Sequence, residues 1–118
     1  MENLINRFIK YAKVYTTSDE DSTTTPSTQR QKNLAKILVE DLKEIGIDNA
    51  YMDDNSYVYG FVPANTDKIC NTIGFIAHMD TAPAASGENV KPQIHKNYNG
   101  EDIILNKEKN IVLSIKEF

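Results

Sequence analysis

The sequence predicts an α/β fold, with two N-terminal helices packed on a partial mixed β-sheet. Three observations carry this reading. Apolar residues recur at helical spacing in two early segments. After Gly46 the apolar period shortens to two, the spacing of a half-buried strand. Residues 72–77 (Thr-Ile-Gly-Phe-Ile-Ala) are then nearly all apolar, which suits a central strand buried on both faces.

The elements follow in order. Leu4, Ile5, Phe8, Ile9 and Ala12 lie on one stripe and predict a helix over residues 2–14, with Asn6, Arg7, Lys10 and Lys13 facing water. Residues 16–28 are dominated by Thr and Ser, with Asp19, Glu20, Asp21 and Pro26 among them. They form a polar connection without an apolar period, and loops of this length are uncommon and often functional. Thr28 with Gln31 fits a capping box for the second helix. Leu34, Leu38, Leu42 and Ile45 form its apolar stripe, thickened by Ala35 and Ile37, and Lys36 and Glu40 pair on its outer side. Gly46 stands where a left-handed C-cap ends the helix.

Residues 47–52 and 57–62 read as two strands of a hairpin around the turn Asp53-Asp54-Asn55-Ser56. A polar loop with Cys70 follows, and then the apolar run, which ends in His78-Met79-Asp80. Beyond Thr81, Pro83, Gly87, Pro92 and Gly100 punctuate a segment with short strands expected at 93–95, 102–105 and 111–113. Leu4, Phe8, Leu34, Leu38, Leu42, Ile73, Phe75 and Ile76 are expected to supply most of the core.

Composition narrows the function. The 118 residues make one domain at most. Leu, Ile, Val and Phe make up about a quarter of the chain, above the range of disordered sequences. Lys plus Arg number 13 against 17 Asp plus Glu, a net charge of −4, which argues against phosphate-backbone binding and nucleic acid. No apolar stretch approaches the ~20 residues of a membrane span. Met1-Glu2-Asn3-Leu4 lacks the basic start of a secretory signal, and a single cysteine forms no internal disulfide. A reducing, cytoplasmic setting is the simplest expectation.

Chemistry concentrates at His78-Met79-Asp80. In extended chain, His78 and Asp80 point to one face. They follow a predicted buried strand, at the end where open α/β sheets place ligands. Imidazole is a zinc ligand, and a carboxylate often holds its other ring nitrogen. His78 thus reads as a metal ligand oriented by Asp80, although the same pattern also fits an ordinary satisfied histidine. Catalytic zinc usually takes three protein ligands, so one histidine is not a complete site. The other candidates have plainer readings. His95 reads as a strand residue exposed to water, and Cys70 as an inert thiol. Tyr51, Tyr57, Tyr59 and Phe61 alternate as cross-strand packing does. Asp53-Asp54-Asn55 lacks the spacing of a calcium loop.

Residues 73–81, Ile-Gly-Phe-Ile-Ala-His-Met-Asp-Thr, resemble the first metal motif of the two-zinc exopeptidases, a group that includes dipeptidases and deacylases. The resemblance is closer to one branch, the peptidase T family of tripeptide aminopeptidases. It extends through Pro26-Ser27-Thr28 with Gln31, Pro63-Ala64-Asn65, Asp80-Thr81-Ala82-Pro83, Ser86-Gly87 with Asn89-Val90, and Pro92-Gln93-Ile94. Tyr98 with Gly100, and Asp102-Ile103 with Leu105, complete it, so it covers the whole chain in order.

The resemblance implies that His78 ligates one of two zinc ions and that Asp80 is the catalytic aspartate orienting it. Ala84 departs from the acidic residue expected there. The family's bridging aspartate, its general-base glutamate and its remaining ligands have no counterpart here, and Asp53-Asp54 precedes the motif and does not take the bridging role. The expectation is therefore the N-terminal portion of a zinc-dependent tripeptide aminopeptidase catalytic domain over residues 1–118, without the dimerisation domain. The family reaction is metal-assisted hydrolysis that releases the N-terminal residue of a tripeptide substrate. The isolated chain is expected to be inactive, to hold Zn2+ weakly or not at all, and to self-associate through an open sheet edge. The alternative is a small non-catalytic α/β domain that acts as a protein-interaction module.

Overall fold

A computed structural model describes residues 2–117. Helix α1 spans Glu2–Ala12 and α2 spans Gln31–Glu44. Four short strands follow: β1 (Tyr51–Met52), β2 (Val58–Tyr59), β3 (Ile103–Asn106) and β4 (Ile111–Leu113). They form two separate antiparallel pairs, β1 with β2 and β3 with β4. The class is α/β, but the predicted single mixed sheet is replaced by two hairpins and one isolated parallel bridge between Thr17 and Thr81.

Helix α2 and the first hairpin form the packed centre. Leu34, Ala35 and Ala50 are buried there, and Leu38 and Leu42 are half-buried. Gly46 ends α2 as expected, with φ +94° and its amide donating to the Lys43 carbonyl at 2.9 Å. The Ile47 amide then donates to Leu42 at 3.0 Å and turns the chain back toward the helix. A Cβ at Gly60, just past β2, would stand 2.9 Å from the Ile47 side chain, so any larger residue there would push Ile47 aside.

The capping box does not form. Thr28 Oγ1 donates instead to the Thr17 carbonyl at 3.0 Å, and Gln31 Nε2 donates to Thr28 Oγ1 and Ser27 Oγ. The helix begins at Gln31 with Arg30 as its N-cap, so Thr28 stands before the cap position and accepts from the Gln31 side chain rather than from a helix amide. The Lys36–Glu40 pair is likewise not within ion-pair distance among the described residues.

The hairpin is as predicted, only shorter. Tyr51 faces Tyr59 and Met52 faces Val58. The two tyrosine rings stack with centroids 5.2 Å apart. Asp53 closes the turn: its side chain accepts the Tyr57 amide at 2.9 Å, and its carbonyl accepts the Ser56 amide at 3.0 Å. Ser56 sits at φ 71°, buried, and its hydroxyl has no partner.

Three further expectations are corrected. Residues 72–77 form no strand and pair with none, and Phe75 and Ile76 are 95% and 100% exposed. A strand is buried on both faces only when strands flank it and layers cover it, and none of the described residues does either. Ile73, Leu4 and Phe8 are exposed too, so they are not core. Residues 93–95 also form no strand. The radius of gyration is 18.1 Å, against roughly 13 Å for a compact chain of this length, in keeping with so much uncovered apolar surface.

Lys10 does not simply face water. Its Nζ lies 2.6 Å from Asp41 Oδ1, and the Tyr11 hydroxyl donates to Asp41 Oδ2 at 2.7 Å. Asp41 is 3% exposed and ties the end of α1 to α2. The hydrogen bond from Lys10 leads in holding its carboxyl below the ordinary value, outweighing desolvation, with Tyr11 adding to the effect. Burial, then the hydrogen bond and charge of Asp41, push Tyr11 up to about 12.

The signs of these shifts set the pH dependence. The Asp41 contribution is complete above its unfolded pKa of about 4 and is lost as pH falls through the lower folded value. The Tyr11 contribution is complete below about 10 and is lost as pH rises toward the folded value. Asp41→Ala is expected to cost about 1–2 kcal/mol at pH 7, because it removes the shared acceptor of the Lys10 and Tyr11 hydrogen bonds. Urea midpoints of wild type and variant are expected to converge as the pH drops below 4 and as it climbs from 10 toward 12. Ser56→Gly is expected to gain about 1 kcal/mol by relieving the left-handed backbone and removing an orphaned hydroxyl, read as a higher urea midpoint with unchanged slope.

Candidate metal site

The site is built on residues 78–81, at the end of the exposed apolar run. Extended chain places alternate side chains on opposite faces, and the structure follows this. His78 Nδ1 lies 3.1 Å from Asp80 Oδ1. Met79, between them, lines a groove of about 600 Å3 together with Tyr11, Leu42, Tyr59, Phe75 and Ile76. Neither His78 nor Asp80 lines that groove.

Partial desolvation opposes the charge on Asp80. Hydrogen bonding by His78 and the nearby Ser18 hydroxyl, with a backbone contribution, prevails and holds the carboxyl below its ordinary value. Asp80 is therefore ionised at neutral pH and can only accept a hydrogen bond. With a neutral imidazole, the proton then sits on Nδ1 and leaves the Nε2 lone pair free. The His78 side chain is 84% exposed, so that lone pair is accessible.

The donor chemistry of His78 and Asp80 fits one oriented zinc ligand. It does not make a cage. Among the described residues no group of three or more His, Cys, Asp or Glu side chains could hold a metal ion. His95 and Cys70 are exposed and join no such group, and Asp53 is engaged in its turn. Ala84 lies in an exposed turn after the motif.

Sequence reasoning missed the residues that grip the motif. The Ser18 amide donates to the Thr81 carbonyl at 3.0 Å, and the Thr81 amide to the Thr16 carbonyl at 3.4 Å. Thr17 Oγ1 and Thr81 Oγ1 are 3.0 Å apart, and Ser18 Oγ donates to the Thr81 carbonyl at 3.2 Å. Thr16 and Thr17 are buried. One signal was present: adjacent β-branched threonines directly after a helix suit strand pairing better than a free loop.

No helix among the described residues is long and apolar enough to cross a membrane. No protein-family model matches the chain. Individual relatives do. Peptidase T of Clostridium acetobutylicum is 58% identical over 118 residues, which is 100% of this chain and 29% of the relative. Peptidase T of Halothermothrix orenii is 55% identical over the same shares, and that of Geobacillus kaustophilus is 56% identical over 99% of this chain and 28% of its own length. The chain thus spans about 29% of the length of the curated relatives it matches. At 54–58% identity along its whole length, it matches the N-terminal part of the peptidase T family.

Proposed function

We propose that this chain is the N-terminal part of a zinc-dependent tripeptide aminopeptidase, and that His78 and Asp80 are its share of the metal centre. The observation that carries the reading is the His78–Asp80 contact at 3.1 Å, which leaves Nε2 free and exposed in a sequence similar throughout to peptidase T. His78 would hold a zinc ion through Nε2, while Asp80 keeps the Nδ1 proton and the ring orientation. Zinc, when bound, polarises a peptide carbonyl and acidifies water. The described residues supply neither a general base nor a closed ligand set, so the isolated chain would bind metal without turning over peptides. The exposed run at 72–77 and the groove beside it are supporting features, since both are surfaces that a larger catalytic domain would cover.

A zinc titration followed by NMR is expected to move His78 and the Asp80 and Thr81 amides in fast exchange, with the metal lost on gel filtration. His78→Ala is expected to abolish those shifts, and no tripeptide hydrolysis is expected. A tight, stoichiometric zinc site in the chain alone would refute the partial-site reading. The uncovered run also predicts self-association through edge pairing of extended segments. Sedimentation is expected to show concentration-dependent oligomers that Ile76→Lys reduces, because a charge on an unpaired edge opposes stacking. A strictly monomeric wild type would refute this.

A further inference from the structure

We infer that Thr17 and Ser18 are positioning residues for Asp80, and through it for the ring of His78. The two residues belong to a strap that leaves the end of α1 and lies parallel to the chain at Thr81. Thr81 directly follows Asp80, and its backbone is held from both sides. Its amide donates to the Thr16 carbonyl at 3.4 Å, and its carbonyl accepts the Ser18 amide at 3.0 Å and the Ser18 hydroxyl at 3.2 Å. The hydroxyls of Thr17 and Thr81 meet at 3.0 Å.

Two further contacts show that the strap is itself held in place. Thr28 Oγ1 donates to the Thr17 carbonyl at 3.0 Å, joining the strap to the approach to α2. Gly87 closes over the threonine pair. A Cβ there would stand 2.5 Å from Thr17 Oγ1 and 2.8 Å from Thr81 Oγ1, so the approach requires glycine. By contrast, His78 is almost wholly exposed, and Asp80 Oδ1 is its hydrogen-bond partner. An imidazole in water has no fixed orientation unless its partner is fixed. The strap supplies that fixity by locking the peptide on the C-terminal side of Asp80 through the Ser18 amide and hydroxyl, both of which donate to the Thr81 carbonyl.

The inference takes its purpose from the reading of His78 as a metal ligand, but its test uses no metal, so the two can fail separately. Long-range 1H–15N correlation spectra of the metal-free chain at pH 8 report which ring nitrogen carries the proton, with His95→Gln assigning the two histidines. Wild-type His78 is expected in the Nδ1–H form. Thr17→Val keeps the shape but loses the hydroxyl, and is expected to move His78 toward the Nε2–H form while the amide pattern of α2 and the first hairpin stays unchanged. Thr17→Ser is expected to restore the wild-type tautomer. An unchanged tautomer in Thr17→Val, or a shift that Thr17→Ser does not reverse, overturns the inference. Should Thr17→Val lose the α2 pattern, Ser18→Ala decides in its place: a shifted His78 supports the role and an unshifted one overturns it.

Discussion

The arrangement of the site depends on one buried carboxylate. Asp41 sits on α2, out of water, and receives the Lys10 ammonium and the Tyr11 hydroxyl from the last turn of α1. The apolar stripe of α1 is largely exposed, so these polar contacts fix where the helix ends. A charge buried to this degree is tolerated only when it is paired and hydrogen-bonded, and that requirement sets the geometry. The end of α1 in turn sets the path of residues 16–18, which meet Thr81 beside Asp80. The chain leaving Tyr11 thus links the α1–α2 junction to the contacts at Thr81, next to the His78–Asp80 pair.

The rest of the structure divides by how local its forces are. Helix α2 with its Gly46 cap, the Asp53 turn and the stacked Tyr51–Tyr59 pair each close within a few residues, or across a single turn. The extended run at 72–77 is the opposite case. Its apolar character is that of a buried strand, yet burial needs partners on two sides and layers above and below. Here it passes along the rim of a groove with Phe75 and Ile76 open to water. The site inherits this asymmetry. It has a firm rail on the strap side and an open face where further ligands would have to stand.

Much of the fold and the functional motif was legible in the sequence. The two helices, the C-cap, the first hairpin and the shared face of His78 and Asp80 follow from local periodicities and turn chemistry. The resemblance carried by residues 73–81 and its companions led to the same family that the relatives indicate. What the sequence left hidden was tertiary. Lys10 looked like a solvent-facing helix residue, because its partner lies 31 positions away. Thr28 looked like a cap, but α2 begins at Gln31 behind the N-cap Arg30, and the Thr28 hydroxyl donates to the Thr17 carbonyl. The Thr-rich stretch read as a polar connection without a stated partner, and its pairing with Thr81 spans 64 positions. Hydrophobic pattern states what a segment can bury, while only the assembled chain decides whether anything is there to bury it. The identity of the site was therefore written locally, and its rigidity was decided by contacts that no local pattern encodes.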